Sequence, residues 1–454
     1  MKRPGAPFRI LSPTAILGYG FPEDSFRRGL RRRPHLIGVD AGSTDPGPYY
    51  LGSGTSFTDR EGVKRDLRLM LRAGVRAGIP VVIGSAGGAG AAPHLAWCRA
   101  IVREIAREER LAFRLGVVAT DVPRATVLAA LRGGRVRALP CVPALTEEAV
   151  RASTHIVAQV GLEPVQAALR RGCDVVLCGR CYDPAVFAAL PVLRGHDPAL
   201  ALHLGKILEC AAIAATPGSG ADCVLGTLRG DAFELETLNP ARRFTRLSTA
   251  AHTLYEKSDP TRLPGPGGLL NLEACVFREL RGGRVEVRGS RFEPDPEGWL
   301  KIEGARPAGF RCVSIAGIRD PILVRRIDAT LEAVRAAVEP GRPGRLWFHV
   351  YGRDGVMRDA EPERGPPGRE VGLVIEAVAP TQAQADSLCS LARSTLLHYG
   401  YPGRISTAGN LAFPFSPSDL RAGPVYAFSI YHLVRPGARP FAFPVRVETL
   451  RGDR

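Results

Sequence analysis

Between residues 35 and 209, short β-branched apolar runs alternate with stretches of helical period, and this alternation constrains the fold more than any other feature of the chain. Runs 35–40, 80–84, 115–120, 155–161 and 173–179 have the length and side chains of buried strands. Between them, residues 63–78 place Leu67, Met70, Leu71 and Val75 at helical spacing. The stretch opened by Pro93 sets Leu95, Cys98, Ile101, Val102 and Ile105 opposite Arg99, Arg103, Glu104 and Arg107. Segments Arg124–Arg132, 162–171 and 184–193 fill the remaining intervals as helices, and 199–215 follows as a buried one. Repeated strand–helix–strand units pair in parallel, so the expected fold class is α/β, a mostly parallel sheet flanked by helices.

After Pro217-Gly218-Ser219-Gly220 the texture turns to short strands and frequent turns, as in Arg284-Val285-Glu286-Val287-Arg288. Residues 217–340 therefore read as a β-rich extension of an α/β domain spanning 1–340. The run Glu339-Pro340-Gly341-Arg342-Pro343-Gly344-Arg345 has linker composition and marks the expected boundary. Beyond it, 346–351, 371–378 and 425–434 read as strands, and 381–400 as a helix opened by a Thr381/Gln384 capping box, so 345–454 is expected as a small α+β domain.

With 45% hydrophobic and 23% charged residues, the composition is that of a folded globular protein. No stretch stays apolar over the roughly 18 residues that a membrane span needs, and the N-terminal residues lack a clean apolar signal core. A cytoplasmic location with no membrane partner is expected. The ten cysteines then read as reduced thiols, and the single Cys178/Cys181 pair has no second pair at zinc-ribbon distance. The formal charge of +16 arises from arginines scattered over the whole length, with 7% aromatics, so it points away from nucleic acid and toward an anionic small-molecule substrate.

Ligands in open α/β sheets bind beyond the carboxyl ends of strands, which directs attention to four polar loops. The first, 40–54, holds Asp40 and Asp45 as candidates for catalytic or metal work, Asp45 alternatively making a turn with Pro46. The second, Gly84 to His94, is built of small residues. Its amides, Ser85, Gly87 and Gly88 among them, are expected to hold a phosphate or carboxylate at a helix N-terminus, with His94 donating to the anion or capping the helix. The third and fourth carry Asp121 and Asp183, both at helix N-cap positions, and Arg180 is suited to bidentate anion recognition. Lys206 and Glu209 lie three apart among apolar neighbours. His252 and Glu256, four apart, suggest one helical face for acid–base work or for a divalent metal ion.

Longer motifs join these residues. Gly-Pro-Tyr-Tyr-Leu-Gly-Ser-Gly at 47–54, Ile-Gly-Ser-Ala-Gly-Gly-Ala-Gly at 83–90 with Pro93-His94, Gly179-Arg180, Pro-Gly-Ser-Gly-Ala-Asp at 217–222 and Ala-His-Thr-Leu-Tyr-Glu-Lys at 251–257 together resemble the acyclic terpene utilisation AtuA family over residues 10–340. The C-terminal module, ending in Phe428-Ser429-Ile430-Tyr431-His432-Leu433, resembles the small domain associated with that family. The resemblance implies a place in catabolism through CoA-bound acids and assigns no role residue by residue. With the loops above, it leads to an expected lyase or hydratase acting on a carboxylate or acyl-CoA. Gly84–Gly90 would hold the anion, Arg180 would orient it, and Asp40 or Asp45 with His252 or Glu256 would move protons or bind a metal. A metal-dependent hydrolase and a non-catalytic partner subunit are the alternatives, and a homo-oligomer is compatible with all three.

Overall fold

The computed structural model describes residues 6–255, 258–405, 408–437 and 441–452. It divides into two compact units, 1–306 with 428–454 and 307–427.

A ten-stranded sheet organises the first unit. Its centre contains β1 (Phe8–Ser12), β2 (Leu36–Asp40), β3 (Val81–Gly84) and β4 (Phe113–Val118). After β5 (Val136–Ala138) and β6 (His155–Ala158), the strand β7 (Val175–Cys178) inserts between β3 and β4, parallel to both. β1, β2 and β3 are likewise parallel neighbours. The strands alternate their contacts. Ile37, Val39, Val81, Ile83, Val175 and Leu177 pack with the helices Arg60–Ala77 and Ala92–Glu108, whereas Leu36, Val82 and Val176 share a core with Asp183–Leu193 and Pro198–Leu208. On that second face Gly38 and Gly84 admit larger neighbours, since a Cβ would lie 2.8 Å from the Phe187 ring and 2.3 Å from Val186 respectively.

The sheet continues antiparallel through β8 (Val224–Arg229) and β9 (Ala232–Thr237). β10 (Arg262–Gly265) and β11 (Gly268–Asn271) precede the hairpin of β12 (Val276–Leu280) and β13 (Arg284–Arg288), which extends the large sheet from β9. β14 (Arg291–Pro294) then closes a separate three-stranded sheet with β10 and β11. β15 (Leu300–Ile318) begins in the first unit, where Ile302–Ala305 pairs with β6, and runs on into the second.

The second unit is α+β. β16 (Arg345–Tyr351) pairs with β17 (Val371–Ala379), which pairs with residues 310–318 of β15. The helices Ile327–Val338 and Gln382–Leu397 share one core with these strands, through Val334, Leu388 and Ala392 against Leu373, Ile375 and Ala377. Thr381 and Gln384 form the expected capping box. β18 (Asp419–Val434) leads back to the first unit, where its last residues pair with β5, and β19 (Val445–Leu450) edges the large sheet against β4.

Several sequence expectations change. The Gly/Pro run 339–345 lies inside the second unit, joining a helix to β16, and the chain after 428 belongs to the first. Phe8–Ser12, unanticipated, is a central strand. β6 leaves the parallel sheet because its backbone partners, Ile302–Ala305, arrive much later in the chain. The helix expected over 199–215 stops at Leu208 and is followed by a tighter turn at Ala211–Ala214. Among the described residues no helix is long and apolar enough to cross a membrane.

The loop after β3 depends on one glycine. Gly90 has φ +69°, and a Cβ there would stand 2.1 Å from the backbone nitrogen of Arg180, which cannot yield as a side chain could. Gly134, at φ +63°, meets nothing within 4 Å. Replacing Gly90 by Ala should therefore cost more than about 3 kcal/mol in denaturant unfolding, or prevent folding, whereas Gly134→Ala should cost about 1 kcal/mol. Equal costs at the two positions would contradict this packing.

Candidate functional site

Because β2, β3 and β7 are parallel and adjacent, their carboxyl ends deliver Asp40, Ser85 and Arg180 to one edge of the sheet. Arg180 is 2% exposed. Its Nη1 donates to the Asp183 carboxylate at 2.8 Å, the Cys181 carbonyl at 2.7 Å and the Ser85 hydroxyl at 3.2 Å, and its Nε donates to Glu303 at 2.9 Å. Glu303, fully buried on β15, also pairs at 2.8 Å with Lys301, whose Nζ lies 2.7 Å from the Tyr431 hydroxyl. Ser85 holds φ +46°, a conformation unfavourable for any residue with a Cβ, and its hydroxyl faces the Arg180–Cys181 segment. Strain of this kind persists where surrounding contacts fix it, here the hydrogen bonds that the Ser85 and Ala86 amides donate to the Gly179 and Cys178 carbonyls.

Charge accounting sets the state of Asp40. Two cations, Arg180 and Lys301, are balanced by two carboxylates, Glu303 and Asp183. Burial pushes the Glu303 carboxyl up, yet the charges of Arg180 and Lys301 outweigh it and hold the group at about 2. Asp40 is a fifth group with no counter-ion of its own. Burial, then the negative charge of Asp183, raise it well above the ordinary aspartate range, against weaker opposition from Arg180, the Gly42 amide and the Ser85 hydroxyl. A carboxyl whose protonated form is favoured thus stands beside a charged network. Asp183, its side chain 25% exposed, connects that network with solvent.

The remaining candidates are placed differently from expectation. Within the glycine loop the amides of Ser85, Ala86, Gly88 and Gly90 already donate to the carbonyls of Gly179, Cys178, Ser85 and Ala86. The amide of Ala92, at the start of the following helix, bonds to Asp121, so Asp121 serves this helix and not the one that follows it in sequence. Gly87 and Gly88 instead make room for His94 and Phe57. His94 is buried on the helix Ala92–Glu108, with Nε2 3.0 Å from the Thr55 carbonyl, and ties that helix to the loop holding Thr55. Arg180, expected to receive an anion, already holds protein carboxylates. Asp183 is not a cap, since its carboxylate turns to Arg180. Asp45 is exposed in a turn closed by the Gly47 amide on the Thr44 carbonyl at 3.0 Å.

His252 belongs to another cluster, packed from the helix Arg246–Leu254 toward Lys206, with its ring 4.8 Å from that of Tyr255. Burial, and then the charge of Lys206, bring it down to about 4. The helix ends at Leu254, and Glu256 lies outside the described residues. Among the described residues no three His, Cys, Asp or Glu side chains form a metal-holding group. Tyr431 entered only within the motif at 428–433, and Glu303 and Lys301 were not singled out by sequence. Their signal is faint, polar residues at alternate positions of an otherwise apolar strand, 300–303.

A cavity of about 690 Å³ also opens in the first unit, with Thr44 and Asp45 of the loop that begins at Asp40, and Tyr431, on its lining.

Fold and site together define an α/β protein with a buried guanidinium–carboxylate centre at the carboxyl edge of its sheet. The family model for the acyclic terpene utilisation family protein AtuA matches residues 60–222 and 240–414. That is well over half of the 454 residues, and the chain belongs to this family. Ser85, Arg180, Asp183, Lys301 and Glu303 fall within the matched segments, whereas Asp40 and Tyr431 lie outside them. Neither the curated proteins nor the solved structures gave a match.

Removing Glu303 would leave two buried cations with one carboxylate. Glu303→Gln should cost about 3–5 kcal/mol in denaturant unfolding, the range for breaking a buried ion pair from one side. A loss below about 1 kcal/mol would show that Arg180 and Lys301 do not depend on it.

Proposed function

We propose that this protein is an acid–base enzyme of acyclic terpene catabolism, a lyase or hydratase acting on an organic acid or its CoA thioester. The observation that carries the reading is the setting of two unlike carboxyls near one guanidinium: Asp40, raised by burial and by the charge of Asp183, and Asp183 itself, paired with Arg180 and partly open to solvent. A carboxyl raised by burial beside a carboxylate that pairs with a guanidinium supplies a proton donor and a proton acceptor in one place. Adding or removing water, or breaking a carbon–carbon bond beside a carbonyl, requires both. In this reading Asp40 delivers the proton, Asp183 accepts one at the open side, and Ser85 and Arg180 fix the spacing between them. Family membership supports a catabolic role, and the reaction class rests on the carboxyl pair.

Asp40→Asn should lower kcat by about a hundredfold or more on whichever acyl-CoA or organic acid of a panel is turned over, the usual contribution of a positioned acid. Wild-type kcat/KM should fall as pH rises through the raised Asp40 value, because only the protonated form donates. Stability follows the same sign. A carboxyl raised in the folded state stabilises at pH below the ordinary aspartate value and loses that contribution as pH climbs through the folded one. The melting temperature of Asp40→Asn relative to wild type should therefore increase with pH. Activity within threefold of wild type, or a pH-independent difference in melting, would remove the reading.

A further inference from the structure

We infer that the 690 Å³ cavity binds the apolar chain of an acyl substrate, with the Tyr431 hydroxyl presented to the acyl carbonyl. The inference rests on the acid–base reading for the chemistry that follows binding, and on independent observations for the binding itself. The volume falls within the roughly 300–1,000 Å³ of small-molecule sites. Its wall is largely apolar, with Val142, Pro143 and Ala144 from the loop after β5 and Phe428 and Ile430 from β18. An alkyl chain lies against these apolar residues without leaving a polar group of its own unpaired.

Two of the polar groups on the lining are defined by their surroundings. Thr44, 1% exposed, has a hydroxyl with no hydrogen-bond partner on this lining, a group whose burial is costly until something bonds to it. Tyr431 has a defined orientation. The ammonium of Lys301 has donors and no acceptor, so at 2.7 Å the phenol oxygen receives its hydrogen bond, and the phenol's own hydrogen is left to donate elsewhere. Lys301 also sits 3.9 Å from the centre of the Tyr431 ring, which fixes the ring further. Through Glu303 the same lysine is joined to Arg180, so the donor on the cavity wall is connected to the guanidinium centre near which Asp40 lies. Asp45 and Arg306 add charged groups to the lining.

A free acid and a CoA thioester share this chain, and the test separates them. Full-length protein is titrated calorimetrically with decanoyl-CoA, decanoate and coenzyme A. Binding of decanoyl-CoA, decanoate or both, with coenzyme A at least about tenfold weaker, is expected, and the stronger acyl probe identifies the carrier. Ala144→Trp, on an exposed stretch of the lining, should weaken the acyl probe by about tenfold or more without changing the melting temperature. Tyr431→Phe should weaken it about three- to tenfold, the loss of one hydrogen bond. Unaltered acyl binding by Ala144→Trp, absence of acyl binding by wild type, or coenzyme A binding as tightly as its thioester would overturn the inference. Asp40→Asn separates the two proposals: acyl binding retained with turnover lost supports both, and acyl binding retained with turnover intact removes the acid–base reading while the cavity assignment stands.

Discussion

A guanidinium sealed inside the first unit governs the rest of this structure. Arg180 cannot be deprotonated at any ordinary pH, and 2% exposure denies it water, so the fold must supply its acceptors. It does so from four places in the chain: Ser85 after β3, Cys181 and Asp183 beside Arg180 itself, and Glu303 on β15. Glu303 in turn recruits Lys301, and Lys301 recruits Tyr431. The network thereby ties the strand ends to the start of β15 and to the end of β18. Its charges balance without Asp40, and burial, then the charge of Asp183, push the Asp40 carboxyl well above the ordinary aspartate range.

The glycines around this centre serve packing before they serve any ligand. A Cβ on Gly179 would meet the Thr120 hydroxyl at 2.3 Å, and one on Gly90 would meet the Arg180 backbone. The loop after β3 lies on the backbone of residues 179–180, which uses up amides that a phosphate-binding loop would leave exposed. Small residues at a strand–helix turn announce close approach, and sequence does not say whether the approaching group is a ligand or the chain itself.

That ambiguity marks how far the sequence could be read. The α/β alternation placed β2, β3, β4 and β7 within a residue or two, because buried parallel strands are continuous apolar runs. Asp40, Ser85, Arg180 and Asp183 were legible for the same reason, since they follow such runs directly. Glu303 and Lys301 were not, because their importance arises from a partner on a strand far earlier in the chain. His252 misled: it shares a helix-forming segment with other polar groups, but its helix faces Lys206 and Tyr255. β1 was missed because five residues ahead of Pro13 carry little periodicity, and the unit boundary because β15 and β18 both pass through it without any change in composition.

The protonation state of Asp40 tests the account most directly. Carbon-13 NMR of protein labelled at the aspartate side-chain carboxyl, with Asp40→Asn to assign the resonance, follows that one group through a pH titration. The account requires a signal that stays in the protonated position through neutral pH and moves only well above the ordinary aspartate range. A midpoint near the unperturbed value of about 4 would contradict it.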